Sequence, residues 1–201
     1  MMATTHALAG AALATVLFQF APELAPVAIV AAFAGGLFPD LDLYWGHRRT
    51  LHFPVYYWIP ATIASGAALL WPDPVTVGFA AFLVAAAVHS GMDAFGGGLE
   101  LRPWEGTSDQ AVYNHFRGHW IRPRRWVRYD GSPEDVLLGA MFAVPVLATV
   151  EGDLQLLILA AVFVSAVYGL VRKRIPWLSA TFFRYTPAPL LAYVPERFLE
   201  E

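Results

Sequence analysis

Asp40 and Asp42 in the run PDLD, His52 closing HRRTLH, and His89 and Asp93 in HSGMD each stand at the end of a long apolar stretch. A bare carboxylate at membrane depth costs about 2.5–3.5 kcal/mol even on the lenient insertion scale. Three carboxylates among histidines there need a compensating charge, and the single lysine, Lys173, is remote in sequence. A bound divalent cation supplies that charge. Held this way, the cation would lower the pKa of a water toward about 7 and polarise a scissile group, which is the chemistry of metal-assisted hydrolysis. The chain has no cysteine, so thiolate nucleophiles, thiolate ligands and disulfides are excluded and His and carboxylate remain as the strong ligands.

The spacings favour ligation with different force at each residue. His89 and Asp93 are four apart, so on a helix an imidazole and a carboxylate share one face a turn apart; the alternative is a hydrogen-bonded pair joining two helices. Asp40 and Asp42 follow Gly35-Gly36 and a helix-stopping Pro39, and point the same way if the stretch is extended. One of them is expected as a direct ligand, the other as a second ligand or as support for a histidine. Either is also a candidate general base. His52 is expected as a ligand, whereas His47 divides evenly between ligand and solvated loop residue. Arg48 and Arg49 suit a phosphate group or are ordinary loop cations. His6 stands alone on an Ala-rich segment at matching depth, and is read as a further ligand. His115 and His119 have a ligand spacing but lie among Arg and Trp, where a second-metal or substrate role competes with interfacial anchoring.

These residues must be positioned by unusually apolar elements. Of 201 residues, 57% are hydrophobic and 14% charged, and mean hydropathy is +0.50; soluble domains carry about 25% charged residues. Six apolar segments can be drawn, Met2–Phe20, Pro26–Phe38, Phe53–Trp71, Val75–Phe95, Val136–Val150 and Leu154–Val171. They predict an all-α, polytopic transmembrane bundle of five to six helices. Pro72-Asp73-Pro74 and Glu151-Gly152-Asp153 are turns, Ser132-Pro133-Glu134 caps the fifth segment, and Pro60 and Pro145 are expected to kink their helices. The second and fifth segments are short enough to be re-entrant. The first lacks the basic flank of a secretory signal and is read as a retained helix.

In this layout all 13 Lys and Arg residues fall on one face, while the opposite loops hold only Glu23, Asp73, Glu151 and Asp153. The positive-inside rule makes the Arg-rich face cytoplasmic, and both termini with it. All six histidines fall on the same side. Residues 1–175 then form one membrane domain, with its metal motifs within 1–105 and an Arg/Trp-rich loop over 96–132. Within that loop Asp109–Trp120 is expected as a short interfacial helix, and 176–201 as a surface-lying tail. Net charge of −3 gives no sign of a nucleic-acid partner.

There is no HExxH, P-loop or GxSxG. The HxxxD lipid-phosphatase family is also disfavoured, since Leu83 stands where its arginine belongs. Thr5-His6, Pro39–Asp42, His47–His52 and His89–Asp93, with Gly97-Gly98 and Arg102-Pro103-Trp104, occur in an ordered series. It resembles the YdjM-like family of inner-membrane proteins, described as metal-dependent hydrolases. The resemblance covers about residues 1–105 and departs in one place: the family's HRGxTHS is altered here at Arg49, Thr50 and Phe53. That family is distantly similar to zinc-dependent phospholipase C and related nucleases, which implies zinc and a phosphoester substrate. The expected function is a membrane-bound metal-dependent hydrolase acting at the cytoplasmic interface on a phosphorylated or lipid substrate. The alternatives are a structural metal site in a non-enzymatic membrane protein and, last, a metal or proton transporter.

Overall fold

Small residues are buried and large apolar ones face outward in this chain, the reverse of a soluble core. In the computed structural model, which describes residues 1–191 with Tyr193 and Val194, the helices are α1 (Ala3–Ala14), α2 (Ala25–Leu37), α3 (Trp58–Leu70), α4 (Pro74–Met92), α5 (Pro133–Leu147), α6 (Gly152–Val171), α7 (Ile175–Arg184) and α8 (Ala188–Leu191). Ala7, Ala11, Ala28, Ala32, Ala85 and Ala86 are buried where they pack, while Ile63, Leu69, Leu70, Phe79, Phe163 and Leu170 are exposed on outer faces. Hydrophobic side chains gain nothing by avoiding lipid, so small-residue contacts and outward bulk are what a bilayer selects. Three helical stretches, Ala25–Tyr44, Pro74–Phe95 and Gly152–Arg184, are long and apolar enough to cross a membrane, and α3 is a shorter apolar helix.

Helix α1 packs on α2, α4, α5 and α6, and α4 packs on α2 and α3. Two glycines permit the closest approaches. A Cβ on Gly35 would lie 2.1 Å from the Phe82 carbonyl oxygen, and one on Gly36 would lie 2.5 Å from that of His6. The start of α1 is tied to α5 by the buried Asp135, which accepts from Met2 N (2.7 Å), Thr5 Oγ1 (2.8 Å) and Gly131 N (3.0 Å).

The expected breaks form as capped termini. Asp73 accepts from Val75 N and Thr76 N at the head of α4, and the Thr76 hydroxyl accepts from Asp73 N. Ser132 accepts from Asp135 N to cap α5. Three expectations are corrected. Pro60 is the third residue of α3, where the proline lacks a donor that no helix would have used, so it needs no kink. Phe53–Tyr57 form turns ahead of α3 instead of its first helical turns. Residues 109–120 hold no helix: strands β1 (Val112–Asn114) and β2 (His119–Ile121) pair antiparallel, Val112 opposite Ile121. Their Val, Tyr, Trp and Ile residues favour strand. Asn114 Oδ1 accepts from Phe116 N and Arg117 N, and Gly118 takes a positive φ of 69°, which closes the hairpin. Helix α7 continues α6 through a single 3-10 turn at Arg172–Arg174. The part of the expected tail at 195–201 lies outside the described residues.

Candidate metal centre

The end of α2, the loop before α3, the end of α4 and the start of α1 meet at one level of the molecule. Pro39 starts a 3-10 turn, Phe38–Tyr44, that carries Asp40 and Asp42 off the end of α2. The chain then reverses at Gly46, with a positive φ of 115°, and at Arg48, with φ of 60°, which brings His47 and His52 back over the end of α2. Helix α4 delivers His89, and a 3-10 turn at its end delivers Asp93.

Four acceptor atoms from distant parts of the chain face one another there. His52 Nε2 lies 3.1 Å from His89 Nε2, 3.1 Å from Asp93 Oδ2 and 3.6 Å from Asp40 Oδ1. His89 Nε2 lies 3.5 Å from both Asp40 Oδ1 and Asp93 Oδ2. A tetrahedron with metal–ligand bonds of about 2.0–2.1 Å has edges of roughly 3.3–3.4 Å, and these five edges scatter around that value. His6, His89 and Asp93 form a second, overlapping group able to hold an ion.

The tautomers of both central histidines are set by what their other nitrogen does. His89 Nδ1 donates to the Gly36 carbonyl at 2.6 Å, and His52 Nδ1 donates to Asp42 Oδ2 at 3.0 Å. With both rings neutral, each turns an Nε2 lone pair toward the other and toward two carboxylates, an arrangement that a cation at the centre, or a proton on one ring, makes favourable. His52, His89 and Asp93 are buried, and the Asp40 side chain is 20% exposed. The donor set and spacing fit a divalent cation.

In the metal-free chain the central positive charge is a proton. Burial pushes the His52 pKa down, but its contacts with Asp40, Asp42 and Asp93 outweigh burial and hold it up, at about 10. For His47, burial wins over its bond to Asp42 and the ring is harder to protonate than a free histidine.

Asp42 supports the site and does not face it. Its oxygens accept from His47 Nδ1 (3.0 Å), His52 Nδ1 (3.0 Å), Leu51 N (3.1 Å) and Arg48 N (3.4 Å), which is the histidine-supporting one of the roles expected for it. Asp40 keeps the ligand and general-base roles open. His6 stacks on His89 at 3.8 Å between ring centroids and donates from Nε2 to Asp93 Oδ1 at 3.2 Å. Arg48 is buried, and donates to the Gly97 carbonyl at 2.8 Å with Nη2 3.5 Å from Asp93 Oδ1; it neutralises Asp93 from behind and is not offered to a phosphate. Arg49 instead lies over the Tyr113 ring at 4.6 Å.

His115 and His119 stay out of the cluster. His115 Nε2 donates to the Arg49 carbonyl at 2.7 Å and its ring packs on Phe53, while His119 Nδ1 donates to the Trp120 carbonyl. Their spacing, which suggested ligation on a helix, lies across the turn of the hairpin. Sequence reading missed Asp135, whose position two residues past a Pro-led helix start was its only signal. It also missed Glu100, buried at both carboxylate oxygens without a partner. Comparison of the chain with protein-family models, curated proteins and solved structures yields no match.

Proposed function

We propose that this protein is an integral-membrane, metal-dependent hydrolase of the YdjM-like kind, whose centre lies at the cytoplasmic interface and acts on a phosphoester. The observation that carries the reading is the convergence of four atoms from Asp40, His52, His89 and Asp93 that are all acceptors when both rings are neutral, since both Nδ1 atoms are committed. His52, His89 and Asp93 would hold the ion, with Asp42 and the Gly36 carbonyl orienting the rings and Arg48 balancing Asp93. Zinc fits two imidazoles and two carboxylates in a tetrahedral set; when bound, it supplies Lewis acidity and an activated water.

Solvent reaches the centre at Asp40, the exposed corner. Asp40 either completes the shell or accepts a proton from a water held beside it, and this corner faces the side from which a substrate would come. Membrane residence is supported by the outward-facing bulk and the three long apolar stretches, and the cytoplasmic assignment by the Arg-rich loops.

A second reading, a structural metal, is favoured by one observation: with Asp40 counted, four protein donors close a tetrahedron and leave no open position. Asp40→Asn separates the two. In a hydrolase, the variant retains stoichiometric metal while phosphodiesterase or phosphomonoesterase turnover on lipid substrates drops by ~10²–10⁴-fold, the usual worth of a general base. For a structural centre, wild type shows no turnover and the same change weakens metal binding.

A further inference from the structure

A cavity of about 550 Å³ lies beside the centre, within the size range of small-molecule sites. Asp40, His47 and Arg48 form one part of its wall, and Leu43, Leu99, Leu101, Val164 and Ile175 make its apolar lining. Apart from Asp40 at the centre and the Met1 ammonium, 3.6 Å from Asp93 Oδ1, charged groups on the wall are already matched with one exception. Arg172 is paired with Asp130 at 2.7 and 3.1 Å, Arg48 with the Gly97 carbonyl and Asp93, and His47 with Asp42. Glu100 is the exception, since both of its carboxylate oxygens are buried and have no hydrogen-bond partner. A buried carboxylate left without donors is strongly unfavourable, so its presence here points to a donor that arrives with a ligand.

We propose that this cavity seats a single-chain amphiphile drawn from the bilayer, its alkyl chain along the leucine-lined wall and a hydrogen-bond donor of its head on Glu100. At about 30 Å³ per water-sized group, the volume admits roughly 18 such groups, enough for one alkyl chain and part of its head and too few for a two-chain lipid. Val164 lines the cavity and is 53% exposed, so the cavity is open at α6. The polar end adjoins Asp40, so an ester in the head would sit next to the metal centre. That this amphiphile is the substrate rests on the hydrolase reading; that it binds does not.

The donor on the head is a hydroxyl or an ammonium, and photolabelling of the full-length protein in nanodiscs distinguishes them. Lysophosphatidylglycerol and lysophosphatidylethanolamine, each with a diazirine at the chain end, are crosslinked and the adducts mapped by mass spectrometry. Adducts are expected on Val164 and Ile175, away from the head at Glu100. Ala3→Phe, which projects a ring from the cavity wall, should reduce them sharply, and Glu100→Leu should lower them about tenfold or more, the worth of a charged hydrogen bond. Glu100→Gln retains an acceptor: it should spare the phosphatidylglycerol label if the donor is a hydroxyl and lose the phosphatidylethanolamine label if it is an ammonium. Glu100→Leu should also raise the melting temperature of lipid-free protein, as removal of a binding residue does and removal of a structural one does not. Metal content should be unchanged in all three variants, which separates failure here from failure of the metal centre. Labelling scattered over the outer faces, or indifferent to Glu100→Leu and Ala3→Phe, overturns the proposal.

Discussion

The chemistry of this chain turns on which nitrogen of each histidine is already engaged. His52 and His89 each donate from Nδ1, so both Nε2 atoms are left for a cation. In the metal-free protein that place is taken by the proton on His52, whose pKa is raised to about 10. Because the folded-state pKa lies above the ordinary value of about 6.5, this protonation stabilises the metal-free fold fully below pH 6.5 and is lost as pH rises through 10. Metal must displace that proton. Calorimetric titration with Zn²⁺ at pH 7–8 in buffers of different ionisation enthalpy should therefore report at least one proton released per ion, and apparent affinity should climb roughly tenfold or more per pH unit. Affinity flat with pH would show that His52 is not at the centre. Asp42→Asn tests the supporting role: it keeps the shape but weakens the anchor on His52, and should lower metal affinity by roughly 10–100-fold without abolishing binding. The i, i+4 spacing of His89 and Asp93 made this pair legible in the sequence. The division of labour between Asp40 and Asp42 was not, because it depends on a 3-10 turn that no periodicity announces.

Elements matter here through how closely they approach. The Gly36 carbonyl accepts from His89 and its Cα lies against the His6 backbone, so one glycine sets both the α1–α2 spacing and a histidine tautomer. Gly36→Ala places a Cβ within 2.5 Å of the His6 oxygen and must push the helices apart; metal retention should fall even though no ligand is altered, read by metal analysis beside a melting curve. Asp135→Ala strands three donors at the α1–α5 junction and should destabilise the protein by ~3 kcal/mol, measured by thermal or denaturant unfolding, while leaving the ligands in place. Helix positions were readable from apolar runs, from turns such as Pro72-Asp73-Pro74 and from the Ser132 cap. Elements of marginal apolar length were harder: the segment from Asp109 to Trp120 has helix-compatible spacing, and the Asn114–Gly118 turn that makes it a hairpin is a local signal outweighed by the histidine pattern. Glu100 escaped notice because a lone glutamate in a Gly-rich loop carries no spacing to read.

At the scale of the whole molecule, small residues inside, large apolar residues outside and three stretches long and apolar enough to cross a membrane fit contact with lipid, with polar chemistry gathered at one end of the helices. The absence of cysteine makes the orientation directly measurable: a cysteine introduced at Arg117 should react with an impermeant maleimide only from the cytoplasmic side, and one at Asp153 only from the opposite side. The same reagent reaching both from one side would refute the membrane layout. Gathering His6 from the first helix, Asp40 from the turn after the second, His52 from the loop before the third, and His89 and Asp93 from the end of the fourth places residues from most of the first half of the chain on one centre, which is why no single motif revealed it. The most direct test is metal analysis of the purified protein beside His89→Ala and Asp93→Ala, with folding checked by circular dichroism. About one equivalent of tightly bound divalent metal in the wild type, lost in both folded variants, is the predicted result; wild-type protein that binds no metal, or variants that keep it, would contradict the centre.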